Sequence, residues 1–191
     1  LRKEMPELPD TKRTRFMVEF GISESDANVL IEDKETAAYF EKAVAVSRFQ
    51  PSESAKLIAN WMIGELFAIL NKDGKTIETV GFPIEYIAEL VDLIIDKTIS
   101  GKIAKTVFAE MAEKGESPSK IVKDLGLVQI QDESIIKNVI EEVVANNPNQ
   151  VEQYRSGKVQ LFGFFVGQSM KALQGKGNPE MINKILKEIL E

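Results

Sequence analysis

The sequence predicts an all-α protein in two helical domains, a larger bundle followed by a smaller tail. Three observations predict it. Apolar residues recur at three- and four-residue intervals along most of the chain. No apolar/polar alternation of period two runs beyond four or five residues. Capping residues and glycine stops bracket one helix-length segment after another.

The elements follow in order. After Pro6 and Pro9 a short helix runs from about Asp10 to the stop at Gly21. Lys12, Arg13 and Arg15 form a basic cluster on it, read as a solvated face ahead of an RNA contact. Ser23-x-x-Asp26 resembles a capping box for a helix to about Ile31, and Asp33 caps one over 34–48 with Ala37, Phe40 and Val44 on its stripe. The segment 52–70 is apolar around most of its circumference, with Lys56, Asn60 and Gly64 as a narrow polar seam, so it belongs at the centre. Trp61 on it reads as core. Helices over 83–96 and 100–114 follow, Gly115 ends the second, and Ser117-Pro118 starts a short one that Gly126 stops. The Gly115–Gly126 region is the best internal boundary, dividing a helical domain over 1–120 from a tail domain over 121–191. Asp132 caps a helix through about Ala145.

The tail carries the most specific pattern. Asn147-Pro148 and Asn178-Pro179 each set an N-cap residue before a proline at the first helical position. Three helices are expected, over 148–155, 158–174 and 179–190. On the middle one, Val159, Phe162, Val166, Met170 and Leu173 share a stripe, while Gln160, Gly163, Phe164, Gly167, Gln168 and Lys171 share the opposite face. Two glycines four apart each cost about 1 kcal/mol of helix propensity relative to alanine, which close approach of another backbone or of a ligand would offset. Phe164 has two open readings: packing over Gly163 and Gly167 against a neighbouring helix, or presentation to a base.

Composition sets limits. The chain has 191 residues and a formal net charge of −6, which argues against indiscriminate polyanion binding. From Asn147 to Asn178 the sign inverts: Arg155, Lys158, Lys171 and Lys176 face the single acid Glu152, a net of +3. With no cysteine and no histidine, disulfides, thiol nucleophiles, common zinc sites and Ser-His-Asp chemistry are excluded. No signal peptide or transmembrane stretch is present, and a cytoplasmic protein is expected, with no membrane or DNA partner. The chain starts at Leu1 rather than at a methionine, which predicts a piece of a longer protein.

No catalytic constellation emerges. There is no Walker A loop, no GxGxxG after a strand, no HExxH and no EF-hand. Gly175-Lys176-Gly177 precedes a helix N-terminus but lacks the strand and Lys-Ser/Thr pair of a phosphate loop, so a turn is the favoured reading. Glu110, Glu113, Glu141 and Glu142 lie on outward faces, and Ser134, Ser156 and Ser169 lack a general base. No catalytic residue, metal or cofactor is therefore expected in this chain. What remains is a binding module. Arg155, Lys158, Lys171 and Lys176, with Phe164 and Gln168, suit shape recognition of a structured RNA. A protein-docking surface with incidental bases stays open beside it.

The string NPNQVEQYRSGKVQLFGFFVGQSMKALQGKGNPEMINKIL, together with ANWMIGEL at 59–66, TISGKIAKTVFAEM at 98–111 and GLVQIQDE at 126–133, resembles the C-terminal helical region and YqeY-like tail domain of GatB, a subunit of the aspartyl/glutamyl-tRNA(Asn/Gln) amidotransferases. Tyr154-Arg155-x-Gly157-Lys158 and Gly163-Phe164…Gly167-Gln168-x-Met170-Lys171 match that family's pattern; Ser169 and Phe162 depart from it mildly. The resemblance implies a tail of three to four helices that contacts the tRNA elbow and D-loop. It also implies tRNA(Gln) or tRNA(Asn) as partner, with the A and C subunits of the amidotransferase reached through the full-length protein. ATP and magnesium would belong to the family's N-terminal cradle, which this chain does not resemble. The implied role is the noncatalytic tRNA-binding portion of an enzyme that converts Glu-tRNA(Gln) or Asp-tRNA(Asn) to the amide. The alternative is a helical scaffold that docks other proteins.

Overall fold

The computed structural model describes residues 7–191. Pro6 lies outside the described residues. Every regular element among the described residues is helical, with no strand beyond an isolated bridge between Ile130 and Gly177. The helices are α1 (Pro9–Phe20), α2 (Glu24–Leu30), α3 (Lys34–Val46), α4 (Pro51–Trp61), α5 (Phe67–Asp73), α6 (Glu85–Ile95), α7 (Gly101–Lys114), α8 (Pro118–Asp124), α9 (Glu133–Ala145), α10 (Pro148–Arg155), α11 (Leu161–Ala172) and α12 (Pro179–Leu190). They gather into two compact units, Leu1–Asp96 with Ala104–Asp124, and Lys97–Ile103 with Leu125–Glu191.

Helix starts follow local chemistry. The Ser23 hydroxyl accepts from the Asp26 amide at 3.1 Å, and the Asp33 carboxylate accepts from the Thr36 amide and hydroxyl, each at 2.6 Å. Asp132 accepts from the Ser134 and Ile135 amides at 2.9 and 3.3 Å. Each amide contact satisfies a donor that the first helical turn leaves without a partner.

In the first unit Phe16, Phe20 and Phe40 form a triangle of rings with centroids 5.2 to 5.4 Å apart, fastening α1 to α3. Trp61 is buried with its ring 5.7 Å from Phe108. The segment expected as one helix over 52–70 departs from that expectation. Between α4 and α5 the backbone opens into a π-turn over Met62–Leu66, where the Phe67 amide donates to the Met62 carbonyl five residues back. Lys56, Asn60 and Gly64 are all exposed along this rod. The α3–α4 corner is held from α6. The buried carboxylate of Asp92 accepts from the Ser47 hydroxyl at 2.6 Å and from the Arg48 amide at 3.0 Å. The α1 cations are ion-paired: Lys12 to Glu41 at 3.1 Å, Arg13 to Asp10 at 3.0 Å, and Arg15 to Glu7 at 2.8 Å and Glu41 at 3.0 Å. The Arg15 guanidinium, by its hydrogen bond, holds the Glu7 carboxyl below its ordinary range.

The second unit packs α9, α11 and α12 around Ile136, Ile140, Val143, Phe165, Leu173, Ile182, Ile185, Leu186 and Leu190. The 97–103 segment belongs to it: the Gln129 amide donates to the Thr98 carbonyl at 2.7 Å, and Lys97 pairs with Glu180 at 2.9 Å. Two loops are stitched together where the Ile130 amide donates to the Lys176 carbonyl at 2.6 Å and the Asn178 amide to the Ile130 carbonyl at 3.1 Å.

Candidate nucleic-acid interface

The middle helix of the tail starts later than its periodicity suggests. Gly157 has φ 108°, so α10 cannot run on into α11, and Lys158 to Gln160 form turns in which the Leu161 amide donates to the Lys158 carbonyl at 3.0 Å. Val159, expected on the apolar stripe, consequently projects into solvent with 68% of its surface exposed. The centre of the buried face is also shifted. Phe165, Ser169 and Leu173 are buried, with Phe162, Val166 and Met170 half-buried beside them. The Ser169 hydroxyl is fully enclosed and has no hydrogen-bond partner.

The opposite face of α11 is open. Gln160, Gly163, Gly167, Gln168 and Lys171 are exposed, and a Cβ built on Gly163 or Gly167 would meet nothing within 4 Å. No described residue of the chain covers these glycines, so the close approach expected from another part of the same chain does not occur. The contrast is Gly177 in the following loop, where a Cβ would lie 2.5 Å from Leu173 Cδ1 and 2.7 Å from Ile182 Cδ1. Phe164 borders the open face. It is half-buried, packs on the tail core, and meets the Phe165 ring edge-on with centroids 5.4 Å apart.

The six residues singled out in the sequence fall into three places. Phe164, Gln168 and Lys171 form one ridge of α11 at four- and three-residue spacing. Arg155 and Lys158 meet at the α10–α11 joint, where Lys158 Nζ donates to Gln153 Oε1 at 3.0 Å. Lys176 sits half-buried in the loop before α12, its carbonyl taken by Ile130. Arg155 has a task that local sequence could not reveal: Nε donates to the Leu190 carbonyl at 3.2 Å and Nη2 to the Ile189 carbonyl at 3.3 Å, closing the C-terminal end of α12. Arg155 and Lys176 therefore stand at opposite ends of a 12-residue helix, a separation of about 18 Å along its axis. None of Arg155, Lys158, Lys171 and Lys176 forms an ion pair among the described residues.

Sequence reading missed Val159 as a surface residue, although Gly157 two positions earlier was the signal for a late helix start. Asn147 was expected as a cap; its side chain instead donates to the Val143 carbonyl at 2.7 Å, while Asn178 does cap α12 through the Glu180 amide at 2.9 Å. No group of acidic residues among the described residues is placed to hold a metal ion, and no helix there is long and apolar enough to cross a membrane.

The family described as the GatB domain matches residues 38–190. A GatB protein of Persephonella marina, named as a subunit of aspartyl/glutamyl-tRNA(Asn/Gln) amidotransferase, is 49% identical over 191 residues, all of this chain and 40% of the relative. Proteins of the same name from Ehrlichia canis and Rickettsia rickettsii are each 48% identical, over 187 and 190 residues, and 38% of each is covered. The chain thus spans about two fifths of the length of these relatives. With the family matched over most of its length, this chain belongs to the GatB domain family.

Proposed function

We propose that this chain is the noncatalytic tRNA-binding portion of the GatB subunit of a tRNA-dependent amidotransferase. Its tail would contact the elbow and D-loop of tRNA(Gln) or tRNA(Asn), with the A and C subunits joined through the full-length protein. One observation carries the reading: Lys171 lies on an uncovered glycine face of α11, and it and the tail's Arg155, Lys158 and Lys176 form no ion pair among the described residues, in a chain of net charge −6. Phosphates need unneutralised bases, and a flat backbone surface admits an RNA strand where side chains would hold it off. The α1 cations offer no such surface, because each is already paired with a carboxylate of the chain. The name carried by the relatives, which specifies an aspartyl/glutamyl-tRNA(Asn/Gln) amidotransferase, supports the same partner.

The test is filter binding of the full chain to transcribed tRNA(Gln) and tRNA(Asn), with an elongator tRNA as control, over a salt series. Two to four neutralised phosphates give a slope of log K against log[salt] of about −2 to −4. Gly163→Ala with Gly167→Ala should raise the melting temperature, since each gains helix propensity in open space, yet weaken tRNA binding by covering the flat face. Lys171→Ala should weaken binding and leave stability unchanged. Unaltered affinity in both variants would remove this face from the RNA site and favour a protein-docking scaffold.

A further inference from the structure

The first unit holds a cleft of about 580 Å³ among the end of α2, the start of α3, α5 and the one-turn 3-10 segment Ile77–Thr79. Its floor is apolar, with Phe67 and Val29 half-buried beside Ile77. Its rim is acidic. Glu32, Glu35 and Glu78 line the cleft, are exposed, and form no ion pair among the described residues. The rim's Lys75 already pairs with Asp73 at 3.3 Å, and Asp33 is engaged in capping α3. Three unspent carboxylates therefore ring an apolar depression.

From this we infer that the cleft is a docking site for a basic amphipathic segment of a partner protein, its apolar side chain seated on Phe67 and its lysines or arginines on Glu32, Glu35 and Glu78. Charge complementarity selects the occupant. An RNA strand would meet three carboxylates, and an acidic segment would be repelled for the same reason. An aromatic floor rewards an apolar anchor that a purely ionic ligand lacks. The site is distinct from the α11 face in residues and in sign of charge.

The experiment uses the full 191-residue chain and a fluorescein-labelled amphipathic helix of leucine and lysine as the probe, followed by anisotropy. A leucine–glutamate counterpart and spermidine serve as comparisons. Removing three charges at the rim, with Glu32→Gln, Glu35→Gln and Glu78→Gln combined, should weaken the lysine peptide about tenfold, since exposed ion pairs each contribute modestly. An equal charge change elsewhere, with Glu142→Gln, Glu188→Gln and Glu191→Gln, should change it less than about twofold. Backbone amide shifts on titrating the unaltered chain should concentrate in 29–36 and 67–78, which supports the site without relying on any variant. Equal weakening by both sets of substitutions would overturn the inference. So would shifts outside those segments, binding of the glutamate peptide with equal strength, or displacement of the peptide by spermidine at the peptide's own concentration range.

Discussion

Ser169 is enclosed at the centre of the α11 core face with its hydroxyl unpartnered. A buried polar group without a hydrogen bond costs roughly 1–3 kcal/mol, and alanine is the better helix former. Ser169→Ala is therefore expected to stabilise the chain by about 1 kcal/mol, a rise of about 2–4 °C in melting temperature for a protein this size. Calorimetry on the full chain checks this, and a lower melting temperature would show that the hydroxyl has a partner after all. Phe164 sits at the other margin of the same helix. Being half-buried on the tail core, it should lose less on truncation than the ~3–5 kcal/mol typical of a fully enclosed ring. Phe164→Ala is expected to cost about 1–2 kcal/mol and, if a base stacks there, to weaken tRNA binding besides. Unfolding and binding isotherms on the one variant separate the two effects.

At the scale of elements, the α3–α4 corner depends on a residue of α6. Asp92 takes the Ser47 hydroxyl and the Arg48 amide, and Arg48 continues to Asp96 at 3.0 Å. Asp92→Ala would orphan the hydroxyl and the amide at once, and about 2–3 kcal/mol of stability should be lost. The check is a lower urea midpoint with an unchanged slope; an unmoved midpoint would mean that water replaces the carboxylate at no cost. This corner also shows what a sequence can disclose. Ser23, Asp33, Asp132 and Asn178 were legible as caps because a cap is a contact among neighbours two or three residues apart. The all-helical fold was legible for the same local reason. The clamp from Asp92, 44 and 45 residues away from its partners, leaves no local trace. Nor does the π-turn at Met62–Leu66, whose extra residue per turn is invisible to a regular helical wheel. On α11 the wheel located the open face, with both glycines and Lys171. It misplaced the buried centre, because a wheel built on apolar residues passes over a stripe that includes Ser169.

For the whole molecule, the tail helices have a core of their own, built on Phe165, Leu173, Ile182 and Leu186. The contribution of 97–103 to that unit could not be anticipated, since it depends on the Gln129 amide finding the Thr98 carbonyl. We propose that 126–191 folds alone as a domain of marginal stability, on the order of 3–5 kcal/mol. A cooperative thermal transition by circular dichroism is expected. It should lie below that of the tail in the full chain, because Thr98 and the Lys97–Glu180 pair are missing. A gradual, non-cooperative loss of signal would place the domain boundary elsewhere.

The guanidinium of Arg155 closes the end of α12 by donating to the carbonyls of Ile189 and Leu190. A phosphate that captures this side chain must take it from those carbonyls, so anion binding and fraying of the last helical turn are thermodynamically linked. The linkage is reciprocal. Whatever loosens residues 187–190 releases Arg155 for an anion, and whatever holds the turn shut withholds it. Hydrogen exchange at the final amides thus becomes a gauge, at some distance from the glycine face, of whether Arg155 is engaged with an anion or with its own chain.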